Sequence, residues 1–298
     1  MTKRRFLCRF PVDVGLTLSP LRRGHGDPCM LLSRDQAALA TRTPEGSATL
    51  HLSIDSRAAV AEAWGPGARW VLENAPALVG ADDDPTVFRP RHPVMRELHR
   101  ARGGLRIPRC NNVLEILVPT ILEQKVTGHE ARRAYRRLVH RFGEPAPGPY
   151  PLVLPPHPKA FAELPYYEFH PFGVERRRAE TIRSVCARAA RLARWAELGS
   201  DTLRTKLLSL PGVGAWTAGH VQMLALGDCD AVTVGDFHLP HMVAWTLTRE
   251  PRASDERMLE LLEPYKGHRG RAQRLIETSG IRPPAFGPRK ARRSIEMI

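Results

Sequence analysis

With 298 residues, 42% of them hydrophobic, the chain is long enough to bury one large core or two modest ones. Its net charge of +14 points to a polyanionic partner, nucleic acid before others, although all but six of its 45 Lys+Arg residues are Arg, a bias that genome base composition also produces. The five Cys (Cys8, Cys29, Cys110, Cys186, Cys229) are odd in number, widely spaced and form no C-x-x-C, which argues against a disulfide framework, a zinc site or a cysteine-ligated iron–sulfur cluster and fits a reducing cytoplasm.

The N-terminus has a basic start, but Arg9, Pro11 and Asp13 interrupt its apolar run, so no signal peptide is expected. Residues 37–55 hold two strand-compatible segments around Pro-Glu-Gly. In the second, Ala48, Leu50, Leu52 and Ile54 alternate with polar neighbours, the period of a half-buried strand. A helix is expected over 57–78, and the Gly/Pro/Asp-rich stretch 80–93 reads as a linker.

From about residue 94 the chain reads as helix. Val113, Ile116, Leu117, Ile121, Leu122 and Val126 fall at helical spacing, with Pro119 expected to kink the helix or divide it in two. Gly143 and the prolines at 145, 147, 149 and 151 stop the next helix. An amphipathic helix is expected over 174–198, and Asp201 or Thr202 can cap the one after it. Further helices are expected at about 215–226, 236–248, 254–263 and 267–279, and the basic residues 281–298 read as a mostly disordered tail. No internal repeat of fixed period occurs.

One stretch breaks the charge pattern. Residues 207–227 carry no charged side chain and contain Pro-Gly-Val-Gly at 211–214. Pro211, Gly212, Gly214, Thr217, His220 and Gln222 make a membrane span a poor reading, and two helices joined by a tight turn a better one. Glycines at 212 and 214 leave backbone N–H groups uncovered at the start of the second helix, where the helix dipole favours an anion. Leu207, Leu208, Leu210, Val213, Met223 and Leu224 would pack inward while the turn meets a phosphate, and its carbonyls could hold a monovalent cation. The alternative is a plain turn in an all-helical core.

"LPGVGAWTA" at 210–218, followed by "VTVGDFHL" at 232–239, resembles the helix–hairpin–helix plus Gly/Pro…Asp (HhH-GPD) superfamily of base-excision DNA glycosylases, and within it the bacterial 3-methyladenine (alkylated-base) DNA glycosylase II branch. "LRIPRCNNVLEILVPTILEQKVTGHEA" (105–131) is similar to the segment that enters the helical domain and carries the DNA wedge. "FGVERRRAETIRSV" (172–185) resembles the family's Gly-x-x-x-Arg-Ala helix, and the N-terminal part resembles the branch's accessory domain. "EPYKGHRGRAQRL" (263–275) resembles the family's C-terminal helix start without the usual aromatic before Pro264.

The resemblance implies that Asp236 is catalytic. Breaking an N-glycosidic bond builds positive charge on the deoxyribose, and a carboxylate beside the anomeric carbon stabilises it and can orient or deprotonate water. Asp236 could also simply cap the helix that follows it. Lyase-type members carry a Schiff-base Lys at the position of Trp216; an indole cannot act as that amine. Reaching a base in a duplex requires flipping it out. Trp216, Tyr166, Tyr167, Phe169, Phe237 and Trp245 are pocket candidates, each with core packing as the alternative. Gln124 and Lys125 align with the wedge, Lys125 being charged where an apolar side chain is expected; a plain phosphate contact is its alternative. Arg133, Arg137 and Arg141, with Arg132 and Arg136 beside them, form a stripe that could follow the DNA backbone or stay solvated.

The expectation is therefore a mainly α protein with the helix–hairpin–helix DNA glycosylase fold. A small α+β domain (1–90) would precede an all-α HhH-GPD glycosylase domain (91–280) and the tail. The expected activity is monofunctional removal of damaged, alkylated bases from double-stranded DNA by a cytoplasmic monomer (bacterial cytosol or nucleoid), off the membrane. Phosphate would be held by Leu210, Gly212, Val213 and Gly214. No cofactor and no catalytic metal are required, with room for a structural K+ or Na+ at the hairpin. A bifunctional or mismatch-type glycosylase and a catalytically silent lesion binder remain the rival readings.

Overall fold

The computed structural model describes residues 1–284; the expected tail lies almost wholly outside them. The N-terminal part is a five-stranded antiparallel sheet of β1 (Thr2–Leu7), β2 (Met30–Leu32), β3 (Gln36–Thr43), β4 (Gly46–Asp55) and β5 (Ala58–Trp64), in the order β1-β5-β4-β3-β2. The Pro44-Glu45 turn sets the β3–β4 register, pairing Thr43 with Gly46 and Leu39 with Leu50. Ala48, Leu50, Leu52 and Ile54 are buried as their alternation predicts, in one cluster with Val71, Leu72 and Ala75 of the helix Ala68–Leu78.

The helix expected over 57–78 is half wrong. Its first half is β5, in which Ala59, Ala61 and Ala63 point inward and alternate with less buried residues. An alanine-rich run scores as helix by propensity, but pairing with β1 and β4 overrides that preference here. On the sheet's other face, Ala38 and Ala40 pack on Leu152 and Leu154, so the proline-rich stretch returns to cover the strands.

The rest is helical. The helix Val113–Leu122 runs through Pro119, and the division falls at residues 123–127 instead. Thr127 and Glu130 then form a reciprocal capping box that starts the helix Gly128–Phe142. The span 174–198 is not one helix: Arg176–Cys186 ends, and a short helix Ala189–Ala193 and a 3-10 turn Arg194–Glu197 follow. The helix expected to be capped by Asp201 or Thr202 starts earlier, at Ser200 after Gly199. Ile116, Leu117, Ile121, Ile182, Leu203, Leu207, Val221, Leu224, Val243 and Leu275 share the helical core.

The two parts are tied by buried polar contacts. Asp83 accepts from the Ile107 N–H at 3.0 Å and pairs with the buried Arg271 guanidinium. Thr41 of β3 donates to the Glu115 carboxylate on the helix Val113–Leu122. Among the described residues no helix is long and apolar enough to cross a membrane.

Candidate active site

The uncharged stretch folds as a hairpin between the helices Ser200–Leu208 and Ala215–Leu226. Leu210 and Val213 are buried and pin the turn, while Pro211 and Gly214 face outward. Gly212 has φ +83°, and a Cβ there would lie 2.2 Å from Thr181 Oγ1, so only glycine fits. Gly214 has φ −105° and would place a Cβ with nothing within 4 Å. Its glycine is not required by the backbone; it keeps clear the space before the helix, whose first N–H groups have no intrahelical acceptor.

The Gln124 amide is committed to this turn, donating to the Gly212 carbonyl at 3.0 Å and to Thr217 Oγ1 at 2.9 Å. Through these bonds Gln124 holds the 123–127 turn to the hairpin. Lys125 beside it is exposed, in the left-handed conformation at φ +57°. The carbonyls of Leu210 and Gly212 each already accept a hydrogen bond, leaving one lone pair apiece for a cation.

Asp236 sits just before the helix Leu239–Thr248. Its Oδ1 accepts from the backbone N–H groups of His238 (2.7 Å) and Leu239 (2.8 Å), and its Oδ2 from Trp216 Nε1 (3.0 Å). The carboxylate is thus a helix cap and, through Trp216, is fixed to the first turn of the hairpin's second helix. The preceding loop is held by Gln273, which donates to Thr233 Oγ1 and accepts from the Thr233 N–H.

The aromatic candidates separate. Trp216 lies beside Asp236, its ring edge-on to His220 at 4.7 Å between centroids. Phe237, the next residue after Asp236, is exposed, its ring 4.9 Å from that of His238 and 6.3 Å from that of His241. Trp245 is partly buried under the Arg249 guanidinium, 5.5 Å away. Tyr166 and Tyr167 lie on the surface, Tyr166 beneath Arg176 at 4.6 Å. Phe169 is a correction: it is fully buried in the helical core against Phe161, at 5.3 Å, and cannot line a pocket. In the arginine stripe, Arg132 packs on Gly24 and Arg136 on Gly26, Arg137 lies over Phe172, and Arg133 and Arg141 are exposed.

Three contributors escape sequence reasoning. Arg178 is buried and donates to the Leu122 and Gly173 carbonyls, so it locks the end of the helix that leads to Gln124. Arg23, from the N-terminal part, pairs with Glu123 at 3.4 Å near the site. His220 is one helical turn beyond Trp216, which spacing alone could have flagged.

The profile of the HhH-GPD superfamily of base-excision DNA repair proteins matches residues 118–267, half of the chain, including Gly212, Gly214, Trp216 and Asp236. The probable bifunctional transcriptional activator/DNA repair enzyme AlkA of Mycobacterium tuberculosis is 30% identical over 213 residues, 71% of this chain but 38% of that protein. The putative DNA-3-methyladenine glycosylase YfjP of Bacillus subtilis is 25% identical over 52% of this chain and 55% of its own. The matches therefore span only about half or less of these relatives. In structure, the 3-methyladenine DNA glycosylase from Archaeoglobus fulgidus aligns with TM-score 0.78 at 20% identity, over 92% of this chain and 97% of that one.

Proposed function

The chain belongs to the HhH-GPD superfamily of base-excision DNA repair proteins, and on that footing we propose that it is a monofunctional DNA glycosylase that hydrolyses the N-glycosidic bond of alkylated bases in duplex DNA. The observation that carries this reading is the Asp236 carboxylate, held by three donors beside an indole rather than an amine.

The hairpin docks one DNA phosphate on the N–H groups in front of Gly214, a contact that positions the strand without reading sequence. The same helix carries Trp216, so docking and the reaction centre share one rigid element. As the bond from C1′ to the base nitrogen breaks, its electrons leave with the base and positive charge grows on the sugar. Asp236 stabilises that charge and takes a proton from the water that adds to C1′. Trp216 keeps the carboxylate aimed and offers a π surface to the extruded base, which favours rings carrying positive charge. With no amine there, the product is an intact abasic strand. Lys125, exposed beside the hairpin, is the remaining side chain of the wedge pair; its stem can enter the stack while its ammonium reaches a phosphate.

In this reading the protein acts as a cytoplasmic monomer on double-stranded DNA. It needs no cofactor, and K+ or Na+ on the free carbonyl lone pairs of the turn would serve structure only. The test is single-turnover excision from duplexes that each hold one lesion: 3-methyladenine, 7-methylguanine, hypoxanthine, ethenoadenine, uracil or 8-oxoguanine. Release of the alkylated bases supports the proposal. Retained lesion binding with no release of any base would leave a lesion-binding protein instead.

A further inference from the structure

A cavity of about 80 Å³ lies apart from the proposed reaction centre, between β3, the helices Val113–Leu122 and Gly128–Phe142 and the proline-rich stretch. No residue of the segment 200–239 lines it. Val118 and Leu122 of the first helix, Leu138 of the second, and Pro155 and Pro156 make its walls apolar, and the proline rings are too stiff to swing in and fill it. The polar groups on the lining are unevenly supplied with partners. Arg42 donates through Nε to the Pro155 carbonyl at 2.7 Å, and its Nη2 stands 3.3 Å from Glu144. The Asn112 amide donates to the Arg42 carbonyl at 2.9 Å and to Glu115 Oε2 at 3.1 Å. Glu115 is the exception. Its Oε2 accepts from Asn112 and Thr41, but among the described residues its Oε1 has no hydrogen-bond partner and the carboxyl has no ion pair. Arg23, the cation whose charge acts on it, is taken by Glu123 at 3.4 Å. Glu115 also lines a second cavity of about 20 Å³ on the side of the sheet, room for one water.

We propose that this cavity is a binding site for a small aliphatic ammonium, whose stem fills the apolar walls and whose charged head meets the Glu115 carboxylate. An ionised carboxylate taken out of water needs a cation or a full set of donors, and Glu115 has neither. Burial pushes its carboxyl up to about 7; the Thr41 hydrogen bond and Arg23 act in the opposite sense, and Asp27 adds to the rise. An entering cation supplies the missing partner and holds the carboxyl ionised, and at lower pH it displaces the Glu115 proton to solvent. A carboxylate ligand finds no such vacancy, because the guanidinium on the lining already faces Glu144. An apolar cavity of about 150 Å³ takes benzene, so this smaller one suits a stem of a few carbons, admitted past the half-buried Arg42 and Val118. None of the groups assigned to base release takes part, so the site stands whether or not the protein releases a base.

The experiment titrates the full chain with butylammonium and follows the methyl resonances of Val118, Leu122 and Leu138 by NMR. Two probes of the same length serve as controls: 1-butanol, which is uncharged, and butyrate, which carries the opposite charge. Saturable shifts of these methyls are expected with butylammonium, with affinity about tenfold or more above that for either control, the worth of a hydrogen bond to a charged group. A primary alkylammonium stays protonated from pH 5.5 to 8.5, as lysine does, so a change of affinity over that range reports the protein. Affinity should rise about tenfold or more from pH 5.5 to 8.5, since at the upper end no proton has to leave Glu115 first. Glu115→Gln keeps the shape without the charge and should bind butylammonium no better than 1-butanol. Val118→Phe puts a larger side chain on the lining and should abolish the shifts of Leu122 and Leu138. If neither variant folds, the wild-type comparison of the three probes and the two pH values decides alone. Equal affinity for 1-butanol or butyrate, an affinity flat across that pH range, or shifts that spare these methyls would each overturn the proposal.

Discussion

The indole Nε1–H of Trp216 donates to Asp236 Oδ2 at 3.0 Å, across 20 residues of sequence. With Oδ1 occupied by the His238 and Leu239 N–H groups, one carboxylate joins the hairpin's second helix to the start of the helix Leu239–Thr248. Replacing Asp236 by Asn preserves size and an acceptor for the helix start but removes the charge. Base release should fall by about 10²–10³-fold, as when a preorganised electrostatic contact is deleted, with lesion-DNA affinity unchanged. Single-turnover activity within threefold of wild type would remove Asp236 from catalysis. Trp216→Phe keeps an aromatic face at this position but removes the N–H donor together with part of the ring area. It should slow the chemical step by about tenfold, the loss of one hydrogen bond to a charged group, and leave binding intact.

In the proposed reaction the indole also decides what is left behind. With Trp216 in place of an amine, borohydride added during the reaction should trap no covalent protein–DNA adduct, and the abasic strand should stay uncut until treated with alkali. A robust trapped adduct would identify an amine elsewhere in the site and a bifunctional enzyme.

The two hairpin glycines should respond differently. Gly212→Ala meets φ +83° and the Thr181 side chain, so it should destabilise the fold by about 1–2 kcal/mol or more and lower the melting temperature. Gly214→Leu meets neither obstacle and should fold normally, with a side chain standing where the phosphate approaches. Its affinity should drop equally for lesion and undamaged duplex, with the salt dependence nearly unchanged; losing a Lys or Arg phosphate contact would lower that slope by about 0.9. Folded Gly214→Leu that binds duplex as tightly as wild type would reduce the hairpin to a structural turn.

Away from the site, the Glu115 carboxyl lies between sheet and helices, where burial pushes it up to about 7, against the opposing effects of the Thr41 hydrogen bond and Arg23. Because folding raises this pKa, its stabilising contribution is complete below the ordinary value of 4.5 and is lost as pH rises through about 7. Glu115→Gln keeps the shape without the titration. Melts from pH 5 to 8.5 should therefore show a shallower decline for the variant, which becomes the more stable protein at the upper end. Parallel curves would show that Glu115 ionises freely in the fold.

Periodicity and punctuation in the sequence located the parts of this protein whose geometry is local. The β3–β4 hairpin follows from alternation around Pro-Glu-Gly, and the helix–turn–helix at 200–226 from an uncharged run broken by Pro-Gly-Val-Gly. Residue type at position 216 spoke about chemistry only through the family resemblance, which places a lyase's Lys where this chain has an indole. Tertiary structure decided what depends on partners distant in the chain. β5 is a strand because β1 and β4 flank it, although its alanines favour helix. Phe169 is core and Phe237 is exposed, a difference no one-dimensional pattern carries, since burial depends on which elements close over a residue. Gln124 is committed to Gly212 and Thr217, some 90 positions away, and Arg178 is buried because the Leu122 and Gly173 carbonyls converge on it. The contact that turns Asp236 from a helix cap into an aimed carboxylate forms only when packing brings the two helix starts side by side, and that is the physical reason it could not be read from the chain alone.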